Sequence, residues 1–231
     1  MQGPFYIWST ETDEEREEAL RQIAILNGEI DVREKALNAA WKTTAEWREL
    51  REHELQAGRE MKAAAKLAGT LPGKATHSYK GKKFKLNNIP KGKKGGIDAW
   101  RYIKHVARPL LWPACKERLA VNPDFILMED NAASHHCWYT DAEREKEGIR
   151  KMQWPPISPD FNPIERVWYI MKSRIQIRRG SERVTTAARM RVVLQEEWNR
   201  ITIEEINALF QRLPTVMQRC IAVDGGNNFH G

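Results

Sequence analysis

The sequence predicts an α/β fold, because segments typical of buried strands alternate along the chain with segments of helical periodicity. The clearest strand pattern is DFILME at residues 124–129, and a weaker one is IRKMQW at residues 149–154. Helical spacing of apolar residues dominates residues 11–70 and the C-terminal third. The predicted order is strand, long helical stretch, loop, helix, strand, helix, strand and then helices.

The first predicted elements lie in an acidic N-terminal region. Residues 1–10 contain FYIW, a short apolar run that predicts a strand. Thr12 followed by Glu15 is a capping-box signature, which predicts that a helix begins there. Residues 11–70 have no proline, and their apolar residues recur at a spacing near 3.5. We therefore predict one long helix or a helical hairpin over residues 11–70.

This helical region has two open interpretations. A break near Gly28 or Gly58 would make it a hairpin. The region is either an amphipathic helix that packs on its own domain or a dimerising coiled coil. Arg33 and Thr44 interrupt the apolar seam, which favours the first interpretation.

The composition of residues 71–97 predicts a mobile loop that binds a polyanion. Glycine, proline and lysine dominate this segment, which has few core residues, eight lysines and no acidic residue. By contrast, residues 1–70 have 10 basic and 14 acidic side chains, and residues 98–231 have 20 and 17. The net charge of +7 over 231 residues is therefore concentrated in one segment, as expected for a polyanion-binding loop more than for a generally basic surface.

The remaining helices follow from periodicity and from proline. Pro109 and Pro113 mark a kink or an end in the first of them. Asn162 is a predicted N-cap followed by proline, and Pro214 is predicted to end the last helix. The predicted helices cover residues 97–119, 140–148, 163–177, 185–200 and 202–212.

Composition excludes several classes of protein. No run approaches eighteen apolar residues, so no membrane partner is predicted. The three cysteines are widely spaced with no C-x-x-C pair, which argues against a disulfide framework and against a zinc finger. The N-terminus turns acidic and does not have the pattern of a secretory signal. Nothing indicates a small-molecule substrate.

Two carboxylates have the placement of metal ligands. Asp130 follows a predicted buried strand, Glu165 lies in the first turn of a predicted helix, and 34 residues separate them. Carboxylates that converge can hold Mg²⁺, and a pair of such ions can cleave a phosphodiester. The alternatives are structural: Asp130 can close a turn, and Glu165 can be the reciprocal glutamate of a capping box on Asn162.

The segments around this pair resemble the DDE transposases of the mariner superfamily, and most closely their fungal members. The matching blocks are ILMEDNAASHH and WPPISPDFNPIERVWYIMK, with the spacing of 34 residues typical of the superfamily's D/E type. GGIDAWRYIKHV and the terminal GGNNFHG also resemble the fungal group.

The resemblance implies roles for individual residues. Asp130 corresponds to the second catalytic aspartate and Glu165 to the third acidic residue, both ligands of Mg²⁺ or Mn²⁺. His135 corresponds to a histidine beside the active site, and its alternative role is structural. Ala133 replaces the proline that the family usually has. Trp168, one helical turn beyond Glu165, is predicted to lie in the core.

The resemblance also implies an incomplete RNase H-like fold, with a mixed sheet flanked by helices. Residues 1–10 would be a residual sheet strand, 11–70 a helical insertion, 71–97 the basic loop, and 98–231 the C-terminal part of the catalytic domain. The first catalytic aspartate and the helix-turn-helix region of the family are not found in the sequence. We therefore expect this chain alone not to cleave DNA, with the metal bound weakly if at all.

The implied partner is DNA, bound without sequence preference through phosphate contacts. The candidate DNA-binding residues are basic side chains of the loop and of the Glu165 helix: Lys80, Lys82, Lys83, Lys85, Lys91, Lys93, Lys94, Lys172, Arg174, Arg178 and Arg179. The alternative is that these charges only solvate the surface. KGKKFK and KGKK also resemble nuclear-import signals, which predicts a nuclear location.

The leading functional prediction is thus a DDE transposase domain, whose intact relatives cleave DNA and join its strands by metal-assisted chemistry. The alternative is a transposase-derived nuclear protein that binds DNA without cleaving it. A decayed fragment without a role is a third hypothesis. A homodimer is an open possibility for the assembly.

Overall fold

The computed structural model describes residues 11–70, 83–90, 96–156, 158–180 and 184–226. Its helices are α1 (Asp13–Trp41), α2 (Ala45–Leu67), α3 (Ala99–Tyr102), a π-helical segment (Ile103–Leu111), α4 (Trp112–Val121), α5 (Trp138–Lys146), a 3₁₀ turn (Pro159–Phe161), α6 (Pro163–Arg179), α7 (Ala187–Asn199) and α8 (Ile203–Ala222). The strand predicted within residues 1–10 lies outside the described residues.

The predicted mixed sheet of an RNase H-like fold is wrong for the described part of the chain, which is helical and contains no strand. The two strand-like runs do meet, but only in one isolated parallel bridge between Leu127 and Lys151. Its hydrogen bonds run from the Leu127 N–H to Arg150 O (2.9 Å) and from the Met152 N–H to Leu127 O (2.8 Å).

The bridge is isolated, and the residues on both sides of it make other contacts. On one side, the Phe125 N–H closes a turn on Asn122 O at 3.0 Å. On the other side, the buried Glu129 side chain accepts hydrogen bonds from Tyr102 and Arg144. Two short parallel segments without a third strand beside them cannot form a stable sheet. The apolar pattern of the runs therefore reflects burial, since Leu127 is 7% exposed, and does not reflect a sheet.

Helices α1 and α2 form the predicted helical stretch, and its break lies at neither glycine. The capping box at Thr12 and Glu15 is confirmed. The chain turns at residues 42–44, where Thr44 caps α2, so Gly28 and Gly58 lie inside helices. Ile23 and Ile30 of α1 are buried in the main apolar cluster, which confirms that α1 packs on its own domain. Helix α2 has no buried residue.

Proline shapes the helical stretch at residues 99–121. Pro109 lies within the π-helical segment, and the Trp112 N–H that follows it donates to Ala107 O, five residues back. Because a proline ring collides with the carbonyl four residues before it, the wider π turn accommodates it without ending the helix. Pro113 lies in the first turn of α4, where the missing N–H is tolerated.

Residues 83–90 form neither helix nor strand and run along α1, where side chains of that helix hold them. Asn38 binds both the N–H and the C=O of Phe84, at 3.0 and 2.8 Å. Asn27 binds both backbone groups of Ile89 in the same way, at 2.8 and 3.0 Å. Ile89 is 1% exposed. Side-chain amides of α1 thus replace the backbone partners that a sheet would supply.

Replacing Asn38 by alanine is expected to lower the free energy of unfolding by about 1–3 kcal/mol, because partly buried backbone groups of Phe84 lose their partners. The readouts are the urea midpoint and hydrogen exchange of the Phe84 amide. Asn88→Ala, which removes an exposed contact with Asp31 at 3.2 Å, is the control and should change stability by less than about 0.5 kcal/mol. Equal effects of the two variants would contradict the prediction.

Helices α6, α7 and α8 pack around a second apolar cluster that contains Val167, Met171 and Ile201. Trp168 packs against this cluster with its ring 5.9 Å from that of Trp198, as predicted. Pro214 lies inside α8, so the prediction that it ends this helix is wrong. Packing of α8 against α6 and the 3₁₀ turn compensates for the one hydrogen bond that the proline removes.

No helix in the described ranges is long and apolar enough to cross a membrane.

Candidate functional site

Asp130 lies three residues after the Leu127 bridge, in an exposed turn. Its Oδ1 accepts the Ala132 N–H at 3.0 Å and lies 2.6 Å from Nδ1 of His135. Partial burial raises the pKa of Asp130, but the Ala132 amide and His135 outweigh it and hold the pKa below its usual value. The carboxylate is therefore ionised near neutral pH. The same side chain both closes the turn and presents a negative charge.

The side chains of Lys151 and Tyr102 contact the turn that carries Asp130. Lys151 donates to the backbone oxygen of His135 at 2.9 Å and to that of Asp130 at 3.4 Å. The His135 ring lies 4.6 Å from the Tyr102 ring. Burial lowers the pKa of Lys151, although neighbouring carboxylates oppose the shift. His135 is thus a direct neighbour of the Asp130 carboxylate and also a packed residue.

A buried charge network beneath this turn was not found from the sequence. Glu129 accepts hydrogen bonds from the Tyr102 hydroxyl and from Arg144 at 3.2 Å, and lies 3.7 Å from Lys151. Burial and this carboxylate raise the pKa of Tyr102 well above its usual value. One sequence signal could have indicated this network: a glutamate lies inside an apolar run, directly before Asp130. A charge that is buried in such a run requires a partner.

Glu165 lies in the first turn of α6, exposed at the edge of a cleft of about 390 Å³ between α6 and α8. Asn162 caps the helix by accepting the Ile164 N–H at 3.3 Å. The Asn162 N–H donates to Pro159 O at 2.9 Å, so it is not bonded to Glu165 as a capping box requires. The capping-box alternative for Glu165 is therefore wrong, and its carboxylate is not explained by helix capping.

The donor chemistry of these two residues suits a hard divalent cation, since carboxylate oxygens are the ligands that Mg²⁺ prefers. Both hydrogen bonds of Asp130 use Oδ1, so Oδ2 is the oxygen that a cation would take. In the described ranges, however, no three His, Cys, Asp or Glu side chains come close enough to hold a metal. The described residues therefore do not complete a metal site. Asp98 does not contribute a third carboxylate to this site, because the Asp98 side chain caps α3 and pairs with Arg101.

The structure describes two of the predicted loop lysines. Lys83 pairs with Glu46 at 2.8 Å and lies 5.9 Å from the Trp41 ring. Lys85 is exposed and lines a cleft beside α1. The other five candidates, Lys80, Lys82, Lys91, Lys93 and Lys94, lie outside the described residues.

The basic residues of α6 fall into two groups. Lys172 and Arg179 are exposed to solvent. Arg174 pairs with Glu205 at 2.5 Å. Arg178 pairs with Glu196 at 2.5 Å and with the fully buried Glu197 at 3.0 Å. Half of this predicted basic surface is therefore engaged in ion pairs that join α6 to α7 and α8.

Comparison with known proteins finds a family whose model matches part of this chain. Residues 91–187 match the model of the DDE superfamily endonucleases, a match that includes both Asp130 and Glu165. Endonuclease domains of this superfamily generally use a divalent metal ion. Residues 91–187 are thus similar to DDE superfamily endonucleases.

The chain is also similar to individual curated transposases. The chain is 28% identical over 109 residues to the Tc1 transposase of Caenorhabditis elegans, which covers 47% of this chain and 37% of the relative. It is 24% identical over 132 residues to the Tcb1 transposase of Caenorhabditis briggsae, or 56% of this chain and 44% of the relative. The matches thus span less than half of these relatives. They confirm the resemblance to the mariner superfamily, while the fungal type stays a prediction.

Proposed function

We propose that this chain is the DNA-handling part of a Tc1/mariner-type DDE transposase and acts on DNA in the nucleus. The observation that carries the proposal is the endonuclease match over residues 91–187, because it covers both predicted carboxylates. The intact relatives are transposases by name, and transposases act on DNA. A homodimer is the assembly to be tested by sedimentation.

Asp130 and Glu165 are the proposed metal-binding carboxylates, with Mg²⁺ or Mn²⁺ as the ion. Asp130 is ionised and exposed, its orientation is fixed by Ala132 and His135, and Glu165 is exposed in the first turn of α6. A divalent ion at such carboxylates would stabilise charge on a phosphodiester under attack by water. The protein's own contribution is to hold the ionised Asp130 carboxylate in place through Ala132 and His135, and to carry Glu165 on the first turn of α6.

We propose further that this chain alone does not cleave DNA. A site for two divalent ions needs several shared oxygen ligands, and the described ranges contain no cluster of three metal-binding side chains. The alternative function, a transposase-derived DNA-binding protein without catalysis, is supported by the same observation together with the eight lysines of residues 71–97. Both functions require DNA binding.

The test combines DNA binding and nicking. The wild-type chain is expected to bind DNA with an affinity that falls as salt rises. Lys→Gln changes in residues 71–97 should reduce the slope of log affinity against log salt by about 0.9 for each phosphate that the variant no longer binds. With Mg²⁺ or Mn²⁺ no nicking of supercoiled plasmid is expected.

Two results would contradict the proposal. If the chain showed no salt-dependent DNA binding, both the transposase function and the alternative DNA-binding function would be excluded. Metal-dependent nicking that Asp130→Ala abolishes would refute the inactivity of the chain while it supports the assignment of Asp130. The control is Lys62→Gln, a charge removed from the exposed helix α2, which should change neither readout.

A further inference from the structure

We infer that the cleft between the start of α6 and the outer turns of α8 binds a single strand of DNA beside Glu165. This inference rests on the proposal that the chain acts on DNA, and it names the surface that holds the strand. The cleft has a volume of about 390 Å³ and lies between the first turns of α6 and residues 209–219 of α8. None of the site residues predicted from the sequence lies on α8.

The lining of the cleft combines an apolar floor with a cationic rim. Leu209, Leu213 and Val216 of α8 recur at intervals of four and three residues, so they share one face of the helix. The rim is formed by three arginines: Arg166, Arg212 and Arg219. Channels that bind single-stranded nucleic acids use this combination, since the cations bind the backbone and the apolar surface contacts sugars and bases.

The charge balance of the cleft favours an anion. The three arginines face two carboxylates, Asp160 and Glu165, so the lining is cationic by one charge. A guanidinium presents parallel N–H groups that match two oxygens of a phosphate. Arg212 is exposed at this rim, two helical turns before Arg219 on the same face of α8. A backbone phosphate held there would lie in the same cleft as the Glu165 carboxylate.

Tyr169 supplies an aromatic surface in the same cleft. It lies one helical turn after Glu165, lines the cleft and is 63% exposed, so its ring is accessible from solvent. A base can stack on such a ring, a contact that tolerates any sequence. Lys172 and Arg179 continue the exposed face of α6 beyond Tyr169. From Glu165 to Arg179 this face extends about 21 Å, at ~1.5 Å per residue.

The size of the cleft selects a single strand over a duplex. Its volume is at the small end of the range for ligand sites, roughly 300–1,000 Å³, which is enough for about one nucleotide. A double helix keeps its bases stacked inside and cannot offer one to Tyr169 without unpairing it. The expected ligand is therefore an unpaired segment, such as the end of a strand.

The experiment measures fluorescence anisotropy of the full chain with a short labelled single strand and with the matching duplex, over a range of salt. Arg212→Gln should lower the single-strand salt slope by about 0.7, the value for one phosphate contact. Tyr169→Ala should weaken single-strand binding about fivefold or more with an unchanged slope. Arg191→Gln, an exposed arginine of α7 outside the cleft, is the matched control and should bind like the wild type.

The outcomes separate this inference from the proposed function. If the wild-type chain binds neither ligand, the proposed function fails and the inference fails with it. If the wild type binds DNA but Arg212→Gln and Tyr169→Ala bind the single strand as well as Arg191→Gln does, the cleft is excluded and the proposed function stands. If Arg212→Gln and Tyr169→Ala lowered the affinity for the duplex as much as the affinity for the single strand, the preference for an unpaired strand would be overturned.

Discussion

Replacing Glu129 by leucine is expected to lower the free energy of unfolding by about 3–5 kcal/mol. Its side chain is 7% exposed, and its partners Arg144 and Lys151 are 8% and 11% exposed. With the carboxylate gone, two cations remain in a poorly hydrated site and the Tyr102 hydroxyl loses its acceptor. Among the described residues, Arg144 then keeps only its bond to Asp141 and Lys151 only its backbone acceptors, so less of the cost of burying the two cations is offset.

The measurement is the urea midpoint of the full chain at constant pH. Glu46→Gln is the control, because its pair with Lys83 is exposed and such pairs contribute less than about 1 kcal/mol. The double change Glu129→Leu with Arg144→Met should be more stable than Glu129→Leu alone, since it removes one of the two buried cations that lost the Glu129 carboxylate. A single variant as stable as the control would show that the network is not a stabilising element.

This network also matters for the site, because Lys151 connects it to the turn that carries Asp130. Loss of Glu129 frees the Lys151 ammonium to move away from that turn. We expect the backbone amide of Ala132, which binds Asp130, to exchange faster with solvent in Glu129→Leu than in Glu46→Gln.

The second large effect is a contrast between two adjacent arginines of α6. Arg178→Met should lower the free energy of unfolding by about 2 kcal/mol, because Glu197 is fully buried and loses a charged hydrogen-bond donor at 3.0 Å. Arg179→Met should leave stability within about 0.5 kcal/mol, since Arg179 is exposed. For DNA affinity the order is reversed, and only Arg179→Met should reduce the salt slope.

The two variants differ in charge from the wild type by the same amount, so overall electrostatics cannot explain a difference between them. Urea denaturation and anisotropy with labelled DNA give the two readouts. If Arg178→Met weakened DNA binding as much as Arg179→Met while the protein stayed as stable as the wild type, Arg178 would belong to the DNA surface as the sequence predicted.

Local signals predicted where two of the helices begin. Thr12 with Glu15 located the start of α1, and Asn162 before Pro163 located the start of α6. Both are capping patterns that depend on a few neighbouring residues. The candidate carboxylates Asp130 and Glu165 also came from the sequence, through the blocks around them and the spacing between them.

The sequence by itself thus determined the resemblance to DDE transposases, the starts of these helices and the candidate carboxylates, because each depends on short segments of chain. Only the tertiary structure decided that Leu127 and Lys151 form one bridge and no sheet, that Asn38 holds residues 83–90, and that Arg178 is an ion-pair partner. It alone brought the arginines of α8 to Glu165. These contacts join residues far apart in sequence, and burial and charge pairing between them depend on the packed neighbours that a local pattern does not contain.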